Sequence, residues 1–219
     1  MESYDALLGL AYPTHVRRQY NVRSIQILSP PAAEPVDLAT AKQHLRVVTS
    51  DEDTLIQLYI SAARAVVESV TGMALVQQQW RVSFDRFHEP LRLPVWPLQS
   101  VDALKYYDTT GTQQTMTLGT DALLDATSRP PRLFPPVSQD FPDTQAQPAA
   151  VTVDCTVGFP PGSGSPGDPA ANIPQALKAA ILLLVGDMYE NREASGQGAM
   201  VVENPTVDRL LWPYRSMEL

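Results

Sequence analysis

Two helix-patterned blocks lie far apart in this chain, and neither can bury its apolar face alone. The first runs from Asp37 to Gly72 and the second from Ile173 to Glu193. Between them, residues 76–157 switch to short alternating runs with turn signals. A chain of this pattern must leave a helical layer, build strands and return. We therefore expect an α+β fold: a small helical bundle, with helices near 37–47, 51–71 and 174–193, interrupted by an inserted antiparallel β region.

The local signals give this outline its boundaries. Residues 1–24 read as an N-terminal extension, although Ile25 and Ile27 have the alternation of a short strand. Residues 25–75 form the first part of the helical domain. Asp37 is placed to cap a short helix with Leu38, Ala41 and Leu45 on one face. Ser50-Asp51-Glu52-Asp53 has the spacing of a capping box, with acids at the positive end of the next helix. That helix carries Leu55, Tyr59, Ala62, Val66 and Val70 at helical spacing. Ile56, Ile60, Ala63 and Val67 widen the stripe, so the helix is either buried nearly all round or touches two neighbours. Gly72 supplies a left-handed C-terminal position.

In the β region, 76–157, Trp80, Val82 and Phe84 alternate with polar residues, as do Val151, Val153, Cys155 and Val157. Leu91 with Leu93, Val101–Tyr107 and Gln114–Leu118 are further candidate strands, suggesting an antiparallel sheet or small barrel. The Pro-rich run from Ser128 to Pro148 reads as a long exposed loop. Residues 158–172 form a Gly/Pro-rich linker, 173–196 the second helical part and 197–219 a C-terminal tail. Pro174 suits the first turn of the returning helix, whose stripe is Leu177, Ile181, Leu184 and Met188.

Chemistry-bearing patterns are sparse. The net charge of −8, from 16 Lys+Arg against 24 Asp+Glu, argues against a protein whose main task is to grip phosphates. The lone Cys155 cannot make an internal disulfide, which fits a cytosolic history, and it reads as a small buried hydrophobe. The opening residues lack the basic start and apolar run of a signal peptide, and no apolar stretch is long enough to span a bilayer. His15, His44 and His88 have no partner at metal-ligand spacing. Segment 158–167 lacks the Gly-Lys-Ser/Thr ending of a phosphate loop. No catalytic residue, cofactor or metal is expected, and the chain is not expected to be an enzyme.

The order of several motifs then adds a family resemblance. Pro35-Val36-Asp37-Leu38-Ala39-Thr40-Ala41-Lys42-Gln43-His44-Leu45-Arg46-Val47, followed by Asp51-Glu52-Asp53-Thr54-Leu55-Ile56, closely resembles the start of tailed-bacteriophage head–tail connector (adaptor, head completion) proteins. Val67-Glu68-Ser69-Val70-Thr71-Gly72, Leu93-Pro94-Val95-Trp96-Pro97, Ile173-Pro174-Gln175-Ala176-Leu177-Lys178 and Tyr189-Glu190-Asn191-Arg192-Glu193 continue the likeness. Gene transfer agents carry similar adaptors.

The resemblance implies a dodecameric ring stacked on the portal protein in the virion neck, after assembly in the host cytoplasm. Such a ring extends the DNA channel, encloses DNA without sequence-specific binding and offers a platform to a stopper or tail-completion protein. No membrane partner is implied. The acidic excess is expected to line part of that channel. Ring closure needs two different faces per subunit, for which Leu55, Ile56, Tyr59, Ile60, Ala63 and Val67 are the candidates. The apolar, aromatic tail makes Val207, Leu210, Leu211, Trp212, Pro213, Tyr214 and Arg215 the candidate portal-docking set. The competing classes are an assembly factor absent from the finished particle and a small hydrolase built on the β region.

Overall fold

A computed structural model describes residues 21–163, 167–192 and 205–215. The described residues fall into two compact units, one of residues 21–32 and 77–159, the other of residues 33–76 and 160–215.

The first unit is built from strands. β1 (Val22–Ser29), β2 (Gln78–Phe84), β4 (Leu98–Tyr107), β5 (Gln113–Met116) and β8 (Val151–Val157) form one antiparallel sheet in the order β1-β2-β8-β4-β5. The alternation seen in sequence sets its register: Trp80 lies opposite Cys155, Val82 opposite Val153, and Phe84 opposite Val151. All six are buried on one face, with Leu104 from β4. A one-residue slip would turn every one of them to the other face. A second antiparallel sheet, ordered β3-β7-β6, joins β3 (Leu91–Arg92), β6 (Leu123–Asp125) and β7 (Arg132–Phe134) around buried Leu91 and Leu133.

The second unit holds the helices. α1 (Leu38–Leu45) starts where expected, with the Thr40 N–H donating to Asp37 Oδ1 at 2.6 Å. That bond holds the Asp37 carboxyl below its usual range. α2 (Asp53–Thr71) ends at Gly72, whose φ of 66° is the left-handed turn-out the sequence anticipated. α3 (Gln175–Glu190) buries Leu177, Ala180, Ile181 and Val185, and α4 (Pro205–Leu211) buries Val207 and Leu211. A 3₁₀ turn, Trp212–Tyr214, follows. Each fully buried Ile or Leu contributes roughly 1.5–3 kcal/mol over leaving it in water.

The expected class, a helical bundle interrupted by an inserted β region, does not hold. Among the described residues there are eight strands in two antiparallel sheets beside four helices. The physical cause is β1. It precedes the helices and pairs with β2 across them, Ile25 against Val82 and Ile27 against Trp80. Strand pairing therefore brackets α1 and α2 rather than being inserted after them. Two local readings also fail. The 128–148 run is not simply a loop: it contains β7, and its Phe141 stacks on Phe87 with ring centroids 4.6 Å apart. The capping box at Ser50 does not form, since Glu52 occupies the cap position without a side-chain cap bond.

Candidate docking surfaces

The helical unit carries the residues singled out from sequence, and its internal ties decide which remain outward. The acids ahead of α2 are used in long-range pairs instead of a cap. Asp53 Oδ1 takes a hydrogen bond from Lys42 Nζ of α1 at 2.5 Å. Glu52 accepts from the Tyr189 hydroxyl and pairs with Arg192 at 2.6 Å, and Arg192 lies over the Tyr189 ring at 4.5 Å. The Tyr189 hydrogen bond, with Arg192, lowers the Glu52 pKa, and the same bond to Glu52 raises that of Tyr189. The start of α2 is thus clamped to the end of α3.

A second tie is buried. Glu68, 4% exposed, accepts from the Leu75 N–H at 2.8 Å and from Arg64 Nη1 at 2.9 Å. Arg64 Nε also donates to Glu34 Oε2 at 2.7 Å. Burial raises the Glu68 pKa, although the Leu75 N–H and Arg64 pull it down. Nothing in sequence spacing paired Glu34 with Arg64, 30 residues on. Only the Arg64–Glu68 spacing of four residues was a readable signal.

Beside these ties, the two apolar stripes of α2 part company. Ile56, Ile60, Ala63 and Val67 face inward and are at most 2% exposed. Leu55, Tyr59 and Ala62 are half-buried, while Leu58, Val66 and Val70 are exposed, Leu58 to 61%. Of the six candidate subunit contacts, then, four lie in the core of the unit and Leu55 and Tyr59 reach its surface.

The candidate portal-docking set divides likewise. Val207 and Leu211 fold back into the unit, Leu210, Tyr214 and Arg215 are half-buried, and Trp212 and Pro213 are exposed. Arg215 Nη2 pairs with Asp208 Oδ1 at 2.7 Å and its guanidinium lies 5.9 Å from the Trp212 ring. The indole, 64% exposed, stands out beside a guanidinium fixed by that pair. The unit also has a groove of about 870 Å³, with Pro35, Val36, Ile60, Ala179 and Leu182 beside Glu34, Asp37, Asp168 and Lys178 in its lining.

The other chemistry candidates sit as follows. His44 is exposed on α1 and would touch a side chain placed at Gly186 of α3. His15 lies outside the described residues. Burial pushes the Cys155 thiol up to about 12, and Sγ faces the Trp80 carbonyl oxygen at 3.5 Å. Among the described residues, no three His, Cys, Asp or Glu side chains gather as a metal site, and no helix is long and apolar enough to cross a membrane.

Residues 35–116 match the family described as Phage gp6-like head-tail connector protein. A chain in the neck of an empty gene transfer agent particle, computed with C6 symmetry, is similar at 25% identity and a TM-score of 0.71, covering 90% of this chain and 97% of that one. The connector resemblance holds. A chain of the native gene transfer agent virion (23% identity, TM-score 0.71, 89% and 96% covered) has the same fold. So does one from a native neck computed with C12 symmetry (24%, 0.65, 90% and 97%). No curated protein matches. The family match and the likeness to the chain of the empty-particle neck support a structural connector role.

Proposed function

We propose that this chain is a structural subunit of the neck between head and tail of a tailed phage or gene transfer agent particle. Copies form a ring that stacks on the portal, continues the DNA channel and presents its far side to a stopper or tail-completion protein. The observation that carries this is the likeness, over nine tenths of the chain, to a chain in the neck of a gene transfer agent particle, computed with C6 symmetry. Symmetry of that kind fits repeated copies around an axis, and a closed ring needs two unlike faces on each. Twelve copies is the number that the connector resemblance implies. The acidic balance fits a channel wall along which DNA slides without being held.

Portal docking is assigned to the C-terminal segment, with Trp212 and Pro213 as the outward anchors and Leu210, Tyr214 and Arg215 beside them. Exposed aromatics next to a fixed guanidinium are the residue types that dominate protein interfaces. Val207 and Leu211 hold the segment to its own unit. The test is mass spectrometry of purified particles with a cryo-EM reconstruction of the neck. The chain is expected in the finished particle, ringed directly below the portal. Its absence from purified particles, or its presence only outside the neck, overturns the proposal.

A further inference from the structure

The two flanks of α2 differ in a way the core does not require. With about 100° of rotation per residue, Leu55, Leu58, Tyr59, Ala62, Val66 and Val70 share one flank. Over some four turns that flank carries no charge: the charged residues of α2 are Asp53, Arg64 and Glu68, and all three fall on the opposite flank. A solvated helix face normally carries Lys, Arg, Glu or Asp. Here three of the six apolar side chains are exposed and three half-buried. The opposite flank and the edge of the buried stripe border the groove, to which α2 contributes Gln57 and Ile60. An apolar ridge and a hollow with an apolar stretch thus lie on opposite sides of the same buried stripe, within one unit.

We propose that the outward flank of α2 seats in the groove of the next copy, so that ridge and hollow are the two unlike faces of a head-to-tail ring contact. A second copy is the favoured occupant for two reasons. Pro35, Val36, Ala179 and Leu182 give the hollow an apolar stretch, the chemistry that accepts uncharged aliphatic side chains, while Glu34, Asp37, Asp168 and Lys178 make up the charged part of its lining. And because ridge and hollow flank the core on opposite sides, the contact propagates from copy to copy instead of closing as a pair. This rests on the ring in the proposed function; of the six candidate contacts it keeps Leu55 and Tyr59 and replaces the four buried ones with Leu58, Ala62, Val66 and Val70.

The test uses the full chain assembled into particles. The only native thiol, Cys155, is buried and its pKa is raised, so the background is silent to maleimides. A Val66→Cys/Ala179→Cys double variant is treated with a short bismaleimide in purified particles. Most of the chain is expected to shift from the monomer band to a ladder of dimers, trimers and higher multiples, and either single variant alone to stay monomeric. Leu58→Cys/Ala179→Cys serves as a second pair at a more exposed position. Monomer bands from both pairs, with Val66→Cys freely labelled, would show an open face and overturn the contact. A protected Val66→Cys that cross-links to a protein of different mass, or only within its own chain, also overturns it. If wild-type chain is missing from purified particles, the neck assignment itself falls, and this result is separate from the absence of a ladder.

Discussion

The two faces of α2 have nearly the same hydrophobicity and opposite fates. Ile56, Ile60, Ala63 and Val67 are packed away, while Leu58, Val66 and Val70, one step around the helix, lie in solvent. An apolar stripe marks a surface in need of a partner without saying whose. The inward placement of the first stripe is accompanied by long-range polar ties, from Glu52 to Arg192 and from Arg64 to Glu34.

The largest effect is expected from a charge on the inner face. Ile60→Asp should unfold the helical unit, costing more than about 4 kcal/mol. Val66→Asp on the outer face should stay within about 1 kcal/mol of wild type in urea melts while losing incorporation into particles. Equal destabilisation by both would erase the distinction.

Glu68, tucked beside the inner face, comes next. Glu68→Ala leaves the Leu75 N–H and one side of Arg64 without their acceptor and should cost about 3 kcal/mol by denaturant titration. The same inward–outward contrast applies to the tail. Leu211→Ala should cost about 2 kcal/mol, whereas Trp212→Ser should change stability by less than about 0.5 kcal/mol yet leave heads unjoined. Normal joining by Trp212→Ser would end the docking assignment.

The smallest effects are in pH dependence, and the two units should differ in sign. Burial raises the folded pKa of Glu68, so its contribution is greatest below the ordinary glutamate range and is lost as pH rises through the raised value. Glu68→Gln should remove that step from melting temperature against pH. In the strand unit, hydrogen bonds from the Thr110 hydroxyl and the Gln114 amide hold Asp108 down to about 2. Its contribution is present above the ordinary 3.8 and fades as pH falls toward 2. Asp108→Asn should flatten that acid limb slightly, and an unchanged limb would show the turn to be of no consequence.

What was legible in the sequence was local. Asp37 and Gly72 act within one turn of the helices they bound, and Trp80, Val82 and Phe84 alternate because a single strand demands it. What escaped depended on distant partners. Ile25 and Ile27 hinted at a strand, but nothing nearby said that β1 would become the edge of a sheet across α1 and α2. The Ser50 cap was lost because Asp53 and Glu52 found Lys42, Tyr189 and Arg192, partners 11 or more residues away. Likewise the stripes of α2 could be drawn from spacing alone, whereas choosing the inner one required the placement of α3.

The β1–β2 pairing has a kinetic consequence. Ser29 and Gln79 are opposite one another, so the first ladder to be read along the chain is a hairpin whose turn is the whole of α1 and α2. Closing so long a loop from a disordered chain costs entropy that grows as the logarithm of its length, and contacts between distant residues slow folding. Helices nucleate within microseconds and shorten that loop before the strands meet. The zipping of β1 onto β2 should therefore be a late event in refolding, and slowing α2 formation with Ala63→Gly should delay the sheet as well as the helix.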